Sequence, residues 1–273
     1  MQERLVKSIP LSISTILALS GVVLFLLFKL PAAAIHFGDS NLYLYAASLL
    51  LHGQLPYRDF VVVAPPFLLV FLMPFVWVFG NNFLFYQYIS IILDALTAFC
   101  LYLIVRKLKS PLAFISPAVF LFSLTILSTT DFFTGIQLVN LFLSLAILLL
   151  IYNRFLSAGV FFALATTTKF YAFLPFIGFA AFYLKQIKSF TRLFLGFTLA
   201  FAMVLLPFII LAPDQTFQYL VLHHLNRPEG NSRIELFSAF VSSEWQFIVL
   251  AILGALTNRK TLSLKRLRCR SKS

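Results

Sequence analysis

The chain has 273 residues, of which 61% are hydrophobic and only 11% charged, with a net charge of +12 and a mean hydropathy of +0.96. A water-soluble domain carries roughly 25% charged residues, so this composition is that of an integral membrane protein. The basic excess is not interleaved with aromatics in a nucleic-acid-binding pattern, and it reads as a topology signal and a contact with anionic headgroups.

A span needs about 17–25 mostly apolar residues. The first run, 9–30, follows Arg4 and Lys7 and precedes Ala32-Ala33-Ala34. It is too long for the roughly 7–15-residue core of a signal peptide, so it is read as an uncleaved transmembrane helix. Next comes GDSNLYLYAASLLLHGQLPYRDF, residues 38–60. Asp39-Ser40 offers a helix cap, and Gly53 offers a stop. Between them, Leu42, Tyr45 and Leu49 share one face, while Tyr43, Ala46, Ala47 and Leu50 share another. Asp39 is either that cap alone or a carboxylate held at the membrane edge as general base or metal ligand. Tyr57-Arg58-Asp59 is either an interfacial turn with an Arg58–Asp59 pair or a seat for a lipid phosphate on the planar guanidinium of Arg58.

Segment 61–79 carries Pro65, Pro66 and Pro74 and reads as a juxtamembrane helix, because each proline removes a backbone donor. Run 83–105 is a span with Asp94 at its middle, a residue expected to face the bundle interior. The basic loop with Arg106, Lys107 and Lys109 follows, then runs 111–128 and 133–152. Asp131, between these runs, is expected either to cap the helix starting near Phe132 or to serve as a second acid at the depth of Asp39. Two shorter helices, 155–168 and 170–184, flank Lys169, whose ammonium must snorkel or find an anion. Spans at 191–212 and 237–257 enclose an outer loop with His223-His224, a weak metal signal, and with Arg227 and Arg233.

Placing most of the 21 lysines and arginines inside gives eight spans, with both termini cytoplasmic and the loops of Asp39, Asp131 and Lys169 outside. The expected fold class is all-α, a polytopic bundle of about eight spans plus a juxtamembrane helix on the outer face. The whole chain, 1–273, is read as one transmembrane domain. Within it, 1–185 is the core, 186–258 adds spans and the loop 213–236, and 259–273 is a basic cytoplasmic tail. The two cysteines, Cys100 and Cys269, match no zinc or redox spacing. No phosphate loop, dinucleotide fingerprint, GxSxG or HExxH is present.

The run 38–60 followed by Ala64-Pro65-Pro66-Phe67, together with Asp131 and Thr168-Lys169-Phe170-Tyr171, resembles the GT-C superfamily of integral membrane glycosyltransferases. The resemblance covers about residues 1–185 and is mannosyltransferase-like. It implies a polyprenyl-phosphate-linked sugar as donor, inverting transfer, and a glycan, lipid or protein acceptor at the outer face of the cell membrane. It makes Asp39 and Asp131 the catalytic acids and the candidate ligands of a divalent metal, Mg or Mn. It makes Lys169 and Arg58 the candidate contacts of the donor phosphate, and Arg227, in the last outer loop beyond the resemblance, is a further candidate as a headgroup contact. Members of that superfamily are usually longer, which implies a compact or C-terminally truncated form here. Asp94 also allows a transporter or lipid flippase, and the short C-terminal part allows a non-catalytic subunit.

Overall fold

The computed structural model describes residues 10–35, 38–80, 82–226 and 238. By internal contacts the chain divides into two compact units, 1–227 and 228–273. The expected last span and basic tail fall in the second unit and lie outside the described residues, apart from Ser238.

Every regular element among the described residues is a helix, as the all-α reading requires. Helix α1 spans Leu11–Ala32, α2 Asp39–Leu51, α3 Pro66–Phe79 and α4 Phe83–Lys107. Two six-residue helices follow, α5 (Ser116–Leu121) and α6 (Leu124–Thr129). Then come α7 (Ile136–Ile151), α8 (Phe155–Thr168), α9 (Phe173–Tyr183) and α10 (Ile187–Leu211). Short α11 (Pro213–Phe217), a π-helical stretch (Gln218–Leu222) and α12 (His223–Asn226) close the unit.

Three helices, α1, α4 and α10, are long and apolar enough to cross a membrane by length and composition. At 25 residues, α4 is about 37 Å long, more than a hydrocarbon core of about 30 Å. It is the most buried of the three. α1 and α7 both pack against it, α7 also packs on α8, and α8 on α10. Lipid-type surface is plain on α1 and α10, where Leu27 and Met203 stand exposed.

The α8–α10 contact is set by small residues. A side chain on Gly159 would run into the backbone of Leu193, and one on Gly196 into that of Leu156. Two backbones in that proximity need glycine at both crossing points. Stacked rings seal the same region, with Phe176 and Phe197 centroids 3.8 Å apart.

One sequence expectation changes. The run 111–128 is not one continuous helix. It breaks at Phe122–Ser123, where the Ser123 hydroxyl accepts the amide of Ile126 and starts a new helix. The helix expected in segment 61–79 does form, as α3 from Pro66, with Pro65 and Pro66 at its start, where no helical amide partner is lost, and Pro74 inside it.

Candidate functional site

α2 begins at Asp39, but its cap is Gly38, not Asp39 or Ser40. Gly38 has φ 155°, in a region nearly reserved for glycine, and a Cβ there would sit 2.8 Å from Cζ of Phe132. This contact brings the segment carrying Asp39 against the segment carrying Asp131. Gly135 holds the same loop from the other side. It caps α7 in the left-handed region at φ 86°, and its Cβ position meets Leu68 of α3 and Thr168 of α8. The α7 helix therefore starts at Ile136, and Asp131 is not its cap.

Asp39 lies in the first turn of α2, at the positive end of the helix, and is exposed. Among the described residues it makes no hydrogen bond or ion pair. Its charge acts on Lys169. One turn further on, Tyr43 is buried, and its hydroxyl accepts a bond from Nζ of Lys169 at 3.0 Å. The same ammonium stands 5.0 Å from the Tyr43 ring centroid, within cation–π reach.

The sequence of α8 explains how Lys169 arrives there. Thr166, Thr167 and Thr168 donate their hydroxyls to the carbonyls of Phe162, Ala163 and Leu164, so three polar side chains are satisfied inside the helix. Lys169 then leaves the helix in extended geometry, at φ −149°. Burial pushes the Lys169 pKa down, and the charge of Asp39 pushes it back up. A half-buried ammonium of this kind gains more than a solvated one from an arriving anion.

Asp131 is held by a residue that sequence reasoning left unassigned. Lys29, in the last turn of α1, is buried. Its Nζ lies 3.4 Å from Oδ2 of Asp131 and 3.0 Å from the carbonyl of Leu127. The signal for it was a single cation near the end of an otherwise apolar run. Nothing in the sequence named its partner about a hundred residues away. Gln137 pins the same loop through the carbonyls of Thr129 and Phe132, and Gln87 of α4 accepts the amide of Phe133.

Arg58 follows the structural alternative. Its fork meets Asp59 through two bonds, of 2.8 and 2.9 Å. The Arg58 bond and the Leu55 amide hold the Asp59 carboxyl down to about 2. Tyr57, at φ 72°, buries its ring against Phe208 and donates to the carbonyl of Ala64. This knot fixes the chain between α2 and α3. Among the described residues nothing joins Arg58 to Asp39, Asp131 or Lys169. Arg227 lies outside the described residues.

So one end of the bundle gathers Asp39, Tyr43, Lys169, Asp131 and Lys29: two carboxylates and two ammonium groups at the rim of an apolar scaffold. The family model of glycosyltransferase family 87 matches residues 63–262. The chain belongs to glycosyltransferase family 87. It is a membrane glycosyltransferase of the GT-C type that the motifs resemble. The matched stretch contains Asp94, Asp131, Lys169 and Arg227, and it runs well past residue 185. Asp39, Tyr43 and Lys29 precede it. No curated protein and no solved structure matches the chain.

Proposed function

We propose that this family 87 chain moves a hexose, mannose being the first candidate, from a polyprenyl phosphate to a hydroxyl on a glycan, lipid or protein at the outer face of the membrane. The observation that carries the reading is the half-buried Lys169 ammonium, held by Tyr43 beside the exposed carboxylate of Asp39. A lipid-linked donor cannot leave the bilayer, so its phosphate must be met at the membrane edge. Lys169 is the cation for that phosphate, in the bound donor and in the leaving group alike. Asp39 takes the proton from the acceptor hydroxyl as its oxygen forms the new bond to the sugar carbon. The bond from that carbon to the phosphate oxygen breaks, and polyprenyl phosphate departs. Attack opposite the leaving group inverts the configuration.

The residues present do not suit a divalent ion bridging Asp39 and Asp131. Each carboxylate already has an ammonium acting on it, Lys169 on Asp39 and Lys29 on Asp131. Among the described residues, no three His, Cys, Asp or Glu side chains gather as a metal site. No step is therefore routed through a metal. Transfer is expected to keep its rate when EDTA replaces added Mg or Mn. A rate abolished by EDTA and restored by one of these ions overturns this assignment.

The test uses the purified chain in liposomes with radiolabelled polyprenyl-phosphate mannose or glucose. Sugar release to water or to an added acceptor, above a protein-free control, is the expected result. Lys169→Met is expected to raise the donor KM by about 10- to 100-fold, the value of a charge-assisted bond of about 1.5–3 kcal/mol. An unchanged KM removes Lys169 from the donor site. No release from any donor by well-folded protein overturns the reading in favour of a transporter or a non-catalytic subunit.

A further inference from the structure

Beneath the rim, α4 carries a polar stripe at Gln87, Ser90, Asp94 and Thr97. Their spacing of three and four puts all four on one helix face. All are buried, with Ser90 at 0% and Asp94 at 1% exposure. Asp94 is about 16 Å along α4 from its start, near the middle of a hydrocarbon core about 30 Å thick. This stripe faces the 129–133 loop, since Gln87 accepts the Phe133 amide and Thr130 is the side chain acting on the Asp94 carboxyl.

Two members of the stripe are accounted for. Gln87 has Phe133, and the Thr97 hydroxyl bonds the carbonyl of Leu93. The others are not. Ser90 Oγ, both carboxylate oxygens of Asp94, Thr130 Oγ1 and Gln137 Oε1 are buried without a hydrogen-bond partner among the described residues. Thr130 lies near Asp94 but does not meet hydrogen-bond geometry with it. The chemistry of these oxygens is lopsided. Gln137 spends its amide nitrogen on the carbonyls of Thr129 and Phe132, so its oxygen can only accept. The two hydroxyls offer one proton each, against a carboxylate and an amide oxygen that need several. No charged side chain among the described residues acts on Asp94. An unpaired carboxylate in such a place costs several kcal/mol or more.

We propose that Ser90, Asp94, Thr130 and Gln137 hold a small monovalent cation of the Na+ type between α4, the loop 129–135 and the first turn of α7. The donor set is all oxygen, which selects a hard cation. It holds a single carboxylate, so a monovalent ion neutralises it, whereas a divalent ion would leave excess charge in a low-dielectric site. The ion does for Asp94 what Lys29 does for Asp131, and it locks to α4 the loop that positions Asp131. This inference does not depend on the glycosyl-transfer reading, because its test reads stability.

The experiment titrates the purified full chain in lipid nanodiscs with NaCl replacing choline chloride at constant ionic strength and mildly alkaline pH. A saturable rise in Tm of about 5 °C is expected, as for a ligand well above its Kd. Asp94→Asn should flatten the response, and Thr130→Val should shift its midpoint to about tenfold higher Na+, one lost ligand of about 1.4 kcal/mol. In the wild type, amide exchange across 129–135 should slow with Na+ and less so with K+. A Tm and an exchange rate indifferent to Na+ overturn the proposal and leave a protonated carboxyl or bound water at the site. A full response in Asp94→Asn overturns it too, placing the ion elsewhere. Should Asp94→Asn fail to fold, the wild-type exchange titration decides alone.

Discussion

Asp39→Asn is expected to lower kcat by about 10²- to 10⁴-fold, the contribution of a positioned general base. Stability and membrane insertion should not change, because Asp39 is exposed and makes no hydrogen bond or ion pair among the described residues. The donor KM should move little. Losing the carboxylate removes a group that supports the Lys169 charge, but it also removes one that repels the donor phosphate. A single-turnover assay at saturating donor separates these effects. A kcat within threefold of wild type would take the base role from Asp39 and leave Asp131 as the acid to test. Asp39→Glu gives a second reading. A longer carboxylate on the same turn should recover part of the rate if proton removal is its role, and none if the residue only shapes the start of α2.

The parts of the site visible in the sequence were those where a charge stood alone in an apolar setting. Asp39, Lys169, Asp94 and Asp131 each announce themselves that way, because an unexplained charge in a greasy chain has few cheap explanations. The helix after Asp39 was also legible, down to its faces. Tyr43, Ala46 and Ala47 are buried, while Leu42 and Tyr45 look outward. What the pattern could not supply was pairing across the chain. Tyr43 reads as one more interfacial aromatic until Lys169, 126 residues later, is seen to bond it. For Arg58 the sequence leaves two readings, a phosphate seat or a pair with Asp59, and the structure shows the pair. Gly38 was passed over for the residues after it. Its role is a steric one toward Phe132, and no local rule reports a contact of that range. The break at Ser123 did leave a local mark, a serine cap, which the apolar run masked.

Lys29→Met is expected to destabilise the protein by about 3–5 kcal/mol, the loss found when one partner of a buried ion pair is removed. The Lys29 side chain is 8% exposed and that of Asp131 15%, so water cannot readily replace the ammonium. Methionine keeps the apolar stem but takes the Nζ cation away from the Asp131 carboxylate and the Leu127 carbonyl. For a chain of this size the drop should read as roughly 10 °C in Tm. Asp131→Asn alone strands the ammonium and should be costly too. Lys29→Met with Asp131→Asn removes both charges and is expected to recover most of the loss, giving a coupling energy of about 2 kcal/mol or more. Additive losses would mean that the pair contributes no energetic coupling. The double variant also decides what Asp131 is for. If it is stable and transfers sugar at the wild-type rate, Asp131 is an anchor that ties the loop to α1. If it is equally stable but slow, with donor KM unchanged, the carboxylate acts in the reaction. Lys29 then orients the acid, on a loop whose backbone Gln87 of α4 and Gln137 of α7 hold in place.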